Sequence, residues 1–119
     1  MYSPQLLDHF ENPRNAGQLE TPDAVARAEN PVCGDVLELS VKIDQGRIVD
    51  IRFRAKGCAA AIACGSALTD MAKNKTIGEA EAIKREAIAE AVGGLPETSS
   101  HAAALAVEVF GTVLRSLPR

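Results

Sequence analysis

Two cysteines and an aspartate stand beside glycines in this sequence, at Cys33-Gly34-Asp35 and at Gly57-Cys58. Thiolates and carboxylates are both metal ligands, and residues two apart in an extended segment, such as Cys33 and Asp35, project to the same side. Gly34 between them lets the backbone turn closely around whatever they hold. A buried cysteine beside a turn-forming aspartate fits this segment equally well.

Cys58 stands where a predicted strand ends and a predicted helix begins. Free N–H groups and the positive end of the helix dipole favour a thiolate there, which helps to offset the charge of a site with several thiolates. The preceding strands form a predicted hairpin, and its open ends should bring the region of Cys33 and Asp35 close to Cys58. A purely structural cysteine is the alternative.

His101 lies in the first turn of the last predicted helix. A helix N-terminus disfavours an imidazolium, and the neutral imidazole is the form that binds metal. A lone histidine at such a position is more often a solvated surface residue. With Cys33, Asp35 and Cys58 it would complete a set of sulfur, oxygen and nitrogen donors suited to tetrahedral Zn(II) and conceivable for a [2Fe–2S] cluster. The spacings match no zinc-finger pattern.

Two further residues of ligand type are not predicted to bind. On a helix that begins at Cys58, Cys64 is turned by about 120° around the axis and lies roughly 9 Å along it, so we expect a small buried thiol there. His9 lies in the N-terminal helix without ligand-like neighbours. We interpret it as a surface residue.

Apolar residues alternate with polar ones over residues 36–44 and again over 49–55. This period of two predicts two strands, and Gln45-Gly46 between them predicts an antiparallel hairpin. A weaker pattern over residues 25–29 suits a third strand, although its alanines would also suit a helix. The strands should therefore form a small antiparallel sheet.

Helices are predicted before and after these strands. Ser3-Pro4 is a helix start, Asn12-Pro13 a helix end, and an apolar face is expected between them, formed by Leu6, Leu7 and Phe10. A loop follows over residues 15–22. Further helices are predicted over 59–71, over 76–92 with a break near the middle, and from Ser99 or Ser100 onwards, with Leu105, Val109 and Val113 on one face.

This order of elements predicts an α+β fold, a three-stranded antiparallel sheet with helices packed mainly on one face. The chain has 119 residues, which suits one domain over residues 1–119.

Composition excludes several classes of function. A formal net charge of −3 with scattered lysines and arginines argues against nucleic acid as a partner. No window approaches the roughly 20 apolar residues of a membrane span, and the start has no signal-like apolar core. We therefore expect a cytoplasmic protein, in which the 3 cysteines are free thiols available for metal or thiol chemistry.

Several separated motifs, in order, resemble the IscU/NifU family of iron–sulfur cluster assembly scaffolds along nearly the whole chain. They are Tyr2-Ser3-Pro4 with the run from Asp8 to Asn15, then Cys33-Gly34-Asp35, then Gly57-Cys58 with Ala61-Ile62-Ala63 and Ser66, and finally Leu95-Pro96 with His101. The resemblance implies an IscU/NifU-like fold and a pocket of Cys33, Asp35, Cys58 and His101 that takes iron and a [2Fe–2S] cluster, without classical enzyme turnover. It also implies that zinc can occupy the same pocket, and that Asp35 makes the cluster labile.

The implied partners are a cysteine desulfurase, which supplies sulfur as a persulfide, and apo iron–sulfur proteins, which receive the cluster. This sequence differs from the family at Ala102, where the family has a third cysteine. The thiol of that cysteine is the one most implicated in receiving sulfur. It differs a second time at Leu95-Pro96-Glu97-Thr98-Ser99, which replaces the segment that a dedicated Hsp70-type chaperone recognises in the family. The first departure removes the thiol that would receive sulfur, and the second argues against handover through that chaperone.

Two other hypotheses stay open on the sequence. One is a divergent zinc-binding relative that acts as a partner or regulator of a cysteine desulfurase and does not assemble clusters. The other is a sulfurtransferase that relays a persulfide through Cys58. The oligomeric state is expected to be a monomer or a weak homo-oligomer.

Overall fold

The computed structural model describes residues 2–118, so the first and last residues of the predicted domain lie outside the described part. Three strands form one antiparallel sheet in the order β1-β2-β3: β1 is Ala24–Glu29, β2 is Val36–Asp44 and β3 is Arg47–Lys56. The predicted hairpin is confirmed, as is the weaker third strand. Gln45 and Gly46 connect β2 to β3 with φ angles of 52° and 76°, as a type I′ turn requires.

The register of the sheet decides where the candidate ligands lie. Glu29 at the end of β1 pairs with Val36 at the start of β2, and Val36 pairs with Lys56 at the end of β3. The segment between β1 and β2 and the segment after β3 therefore leave the sheet at the same end. This is the end at which Cys33, Asp35 and Cys58 are found.

Five helices lie within residues 2–118. They are α1 (Pro4–Glu11), α2 (Ala59–Ala72), α3 (Ile77–Glu81), α4 (Arg85–Ala91) and α5 (His101–Arg115), with a short 3-10 helix at Glu97–Ser99. Helix α2 packs against β3, and α5 packs against β1 and β2. The predicted α+β architecture, the break between α3 and α4, and the start of α5 are confirmed. None of these helices is both long and apolar enough to cross a membrane.

Local signals explain where the shorter helices begin. The Ser3 side chain accepts a hydrogen bond from the Leu6 N–H at 3.0 Å, and Pro4 occupies the first helical position of α1. At α3, Thr76 and Glu79 form a capping box in which each side chain accepts from the backbone N–H of the other.

The core lies between the sheet and helices α2 and α5. Its largest side chains that are completely or almost completely buried include Phe110, Leu39, Ile51, Leu68 and Ile88. Leu105, Val109 and Val113 of α5 are buried as predicted. Phe53 of β3 packs so closely on α2 that only a glycine, Gly65, fits beneath its ring.

The side-chain exposure of helix α1 differs from the prediction of an apolar face. Only Leu6 of the three expected residues is buried, whereas Leu7 and Phe10 are 40% and 39% exposed. The reason is that α1 is a surface helix that rests on α2, so the rest of its circumference faces outwards. Leu7 and Phe10 belong to that outer part.

Candidate metal centre

The segment from Asn30 to Asp35 forms a tight loop between β1 and β2. The Asn30 side chain accepts from the Val32 N–H at 2.9 Å, Gly34 N–H donates to the Asn30 carbonyl at 2.7 Å, and Asn30 N–H donates to the Asp35 carbonyl at 2.8 Å. Gly34 has a φ of 78°, a conformation that glycine adopts without strain. The loop presents Cys33 with an exposed side chain.

Asp35 is the buried centre of the group, with 4% of its surface exposed. Its Oδ1 accepts a hydrogen bond from the Cys58 N–H at 3.3 Å, and its Oδ2 lies 3.5 Å from Cys58 Sγ. The same Oδ2 lies 3.4 Å from Nε2 of His101. The Asp35 carboxylate thus lies beside both Cys58, at the start of α2, and His101, at the start of α5.

Cys58 is the N-cap residue of α2, as the sequence predicted. It has extended backbone angles, and its side chain makes no capping hydrogen bond, so the half-buried thiol is left for other contacts. The free N–H groups of the first turn and the helix dipole favour negative charge at this place.

His101 is the first residue of α5 and is half-buried. Its Nε2 is buried and makes no hydrogen bond within residues 2–118, although Asp35 Oδ2 is near. A buried imidazole nitrogen without a partner costs free energy, which a bound metal ion would recover. The atom is therefore placed as a ligand atom would be.

Three of the four predicted ligands form a compact group. Ligand atoms of Cys33, Asp35 and His101 all lie within 4.8 Å of one another, although they come from two distant parts of the chain. Cys58 is joined to this group through its two contacts with Asp35. The donor types suit zinc, and they suit iron with mixed ligands.

Residues 1–117 match the family model described as the NifU-like N terminal domain. This chain belongs to the NifU-like N-terminal domain family. Two relatives from Archaeoglobus fulgidus, the iron-sulfur cluster assembly scaffold proteins IscU 1 and IscU 2, are each 52% identical over 110 residues, which cover 92% of this chain and 72% of theirs. The IscU scaffold of Azotobacter vinelandii is 40% identical over 118 residues, covering 96% of this chain and 91% of its own.

A solved structure supports the fold of this NifU-like chain. The crystal structure of an N-terminal NifU-like protein from Brucella abortus superposes with a TM-score of 0.81 over 97% of this chain and 92% of the other, at 19% identity. At this low sequence identity, the superposition supports a shared fold and nothing more. The IscU/NifU resemblance predicted from the sequence motifs is confirmed by the family match.

The two excluded residues lie outside the group in this NifU-like chain. Cys64 lies within α2 and is completely buried in the core, as predicted, and burial raises the pKa of its thiol to about 12. His9 is half-buried rather than fully exposed. Its Nδ1 lies 2.8 Å from Ser66 Oγ, and burial lowers its pKa.

Sequence reasoning missed one residue that shapes the centre. Gly57 was quoted only as part of a family motif, but its backbone lies directly against the Asp35 side chain. The only local signal was its place before Cys58, at the end of a strand. A glycine there often marks the close approach of another group.

Proposed function

We propose that this iron–sulfur cluster assembly scaffold holds iron and a [2Fe–2S] cluster on Cys33, Asp35, Cys58 and His101. The observation that carries the proposal is the group of three ligand atoms within 4.8 Å of one another, with Cys58 in contact with its central carboxylate. The names of the relatives, which describe scaffolds of cluster assembly, support the same function. Such a scaffold holds cargo and is not an enzyme.

The donor set suits a cluster that is held and then released. Stable clusters usually have four thiolates, whereas this set has two thiolates, a carboxylate and an imidazole. Cys58 places its sulfur at the N-terminus of α2, where the helix dipole offsets part of the negative charge. Cys33 is the exposed member, so iron and sulfur arrive, and the cluster leaves, on its side.

The partners follow from this cargo. A cysteine desulfurase supplies sulfur as a persulfide, and apo iron–sulfur proteins accept the cluster, all in the cytoplasm. The segment Leu95-Pro96-Glu97-Thr98-Ser99 argues against release through the dedicated Hsp70-type chaperone. Zinc is an alternative occupant of the same donors.

Anaerobic reconstitution with ferrous iron, cysteine and a desulfurase tests the proposal, read by visible absorption and by iron and sulfide analysis. We expect a cluster on the wild-type chain and its loss in Cys33→Ala and Cys58→Ala. Cys64→Ala is the matched control, because its thiol is buried in the core, and it should keep the cluster. A wild-type chain that forms no cluster but binds one equivalent of zinc tightly would contradict the scaffold function.

Ala102 favours a second candidate, a zinc-binding partner or regulator of a desulfurase. This residue follows His101, is 2% exposed and offers no thiol. Ala102→Cys, with Ala102→Ser as a control of similar size, separates the two functions. For a scaffold, the added thiol should prolong the lifetime of a cluster that the wild-type chain already forms. For a zinc protein, cluster formation should require the added thiol.

A further inference from the structure

The space occupied by the Asp35 side chain exists only because residue 57 is a glycine. A Cβ on residue 57 would lie 2.6 Å from Cγ of Asp35 and closer still to Oδ1. Real Cβ atoms essentially never make nonbonded contacts this short, and the Asp35 residue is nearly completely buried. The obstacle is therefore a buried carboxyl group, and not the exposed end of a flexible side chain.

The Asp35 carboxylate contacts Cys58 and His101 from the position that this space allows. Its Oδ1 accepts a hydrogen bond from the Cys58 N–H, and its Oδ2 lies near both Cys58 Sγ and His101 Nε2. If Asp35 were pushed away from the backbone at residue 57, these three contacts would lengthen together. The buried Nε2 of His101, which makes no hydrogen bond within residues 2–118, would then lose its nearest carboxylate oxygen.

We propose that Gly57 is a positioning residue for the metal centre, and that its missing side chain holds the Asp35 carboxylate between Cys58 and His101. The importance of this position for metal rests on the proposed function. The placement of Asp35 does not, and it can be measured on the metal-free protein. Gly57 also has a φ of 148°, which L side chains rarely adopt, so the test must separate backbone strain from the clash.

A double-mutant cycle makes that separation. Of the three atoms nearest to the new Cβ, Asp35→Ala removes the two that lie within 3.0 Å and leaves the Asp35 Cβ, at 3.1 Å. Gly57→Ala in this background retains the backbone strain and loses the two contacts shorter than 3.0 Å, which form the clash. Gly17→Ala is the matched control, because Gly17 has a φ of 131° with no atom within 4 Å of the Cβ position.

The readout on the metal-free protein is the Hε1 resonance of His101 in the NMR spectrum, which senses Asp35 and lies far from residue 57 in sequence. We expect Gly57→Ala to move this resonance as Asp35→Ala does, and to move it no further in the Asp35→Ala chain. Gly17→Ala should leave it unchanged. A resonance unmoved by Gly57→Ala, or moved equally in both backgrounds, would overturn the inference.

Cobalt(II) titration, followed by its visible absorption, gives the second readout. We expect Gly57→Ala to weaken binding by about 10-fold to 100-fold, the range for residues that orient metal ligands, and to add no further loss to Asp35→Ala. A wild-type chain that binds no cobalt would contradict the proposed function, while the NMR cycle would still decide the role of Gly57.

Folding of the variants is itself informative. If Gly57→Ala does not fold, the double variant with Asp35→Ala should fold, because the clash is gone. If neither folds while Gly17→Ala does, the clash with Asp35 is not the cause, and the inference fails.

Discussion

The three cysteines occupy three different environments, and their reactivity should follow. Cys33 is exposed, Cys58 is half-buried, and Cys64 is buried with its pKa raised to about 12. At pH 8 only roughly one Cys64 in ten thousand is then a thiolate, the form that reacts. We predict that iodoacetamide labels Cys33 first, Cys58 more slowly and Cys64 last, as followed by mass spectrometry of peptides.

The control for this order is labelling in guanidinium chloride, where all three thiols should react at similar rates. Native labelling of Cys64 at the rate of Cys33 would mean that the region of α2 around Cys64 opens readily, which its complete burial argues against.

At the level of single residues, the sequence predicted the identity of the grouped residues but not their contacts. Cys33 and Asp35 could be paired from their spacing, and Cys58 could be placed near them from the hairpin. The hydrogen bond from Cys58 N–H to Asp35, and the absence of any for His101 Nε2 within the described residues, arise from how α2 and α5 meet the end of the sheet. No local pattern encodes those distances.

Among the elements, helix α2 begins after its N-cap residue Cys58. The position of this helix depends on close contact with β3. A Cβ on Gly65 would lie 2.6 Å from the ring of Phe53, which is itself buried. Alanine gains about 1 kcal/mol in helix propensity over glycine, but overpacking a core costs about 1–3 kcal/mol. We predict that Gly65→Ala destabilises the fold by up to about 2 kcal/mol in urea denaturation.

Gly111 in α5 is the matched control, because its Cβ would meet only the flexible end of Arg115, at 3.2 Å. Gly111→Ala should therefore stabilise the protein by about 0.5–1 kcal/mol. Equal effects of the two substitutions would show that helix propensity, and not the contact with Phe53, governs position 65.

Helix α1 is joined to α2 by a histidine whose charge should control stability. Ser66 Oγ accepts the Arg14 N–H at 2.8 Å, so its own hydroxyl can donate to Nδ1 of a neutral His9. Burial, followed by repulsion from Arg14, lowers the pKa of His9 below its usual 6.5. The unfolded chain therefore binds a proton at a higher pH than the folded chain, and stability is lost as the pH falls below about 6.5.

We predict a lower melting temperature at pH 5 than at pH 7, and a smaller difference in His9→Asn, which keeps a polar atom near Nδ1 but does not titrate. His101 is present in both proteins, so the comparison isolates His9. Parallel pH profiles for the two proteins would rule out this role.

The sequence predicted the elements better than their exposure. The alternation in β2 and β3 fixes the register of a half-buried sheet, because a slip by one residue would exchange its two faces. For α1, the predicted burial of Leu7 and Phe10 was wrong, since the packing of α1 on α2 also involves a histidine and a serine. Polar contacts between helices leave no periodic signal.

In the whole molecule, the candidate ligands lie where three parts of the fold meet. Cys33 and Asp35 lie in or beside the loop between β1 and β2, Cys58 begins α2, and His101 begins α5. An ion bound by all of them links the sheet to both helices that pack on it. Unfolding must separate these segments and release the ion, so binding should stabilise the complete fold.

We predict that zinc at 100 times its dissociation constant stabilises the metal-free protein by about 2.7 kcal/mol. For a chain of this size that corresponds to a rise of roughly 10 °C in melting temperature. A chelator should reverse the rise, and His101→Ala should largely abolish it, whereas Cys64→Ala should melt lower but keep the same increment. An equal increment in His101→Ala would mean that zinc binds elsewhere, because the buried Nε2 of His101 joins α5 to the centre only as a ligand.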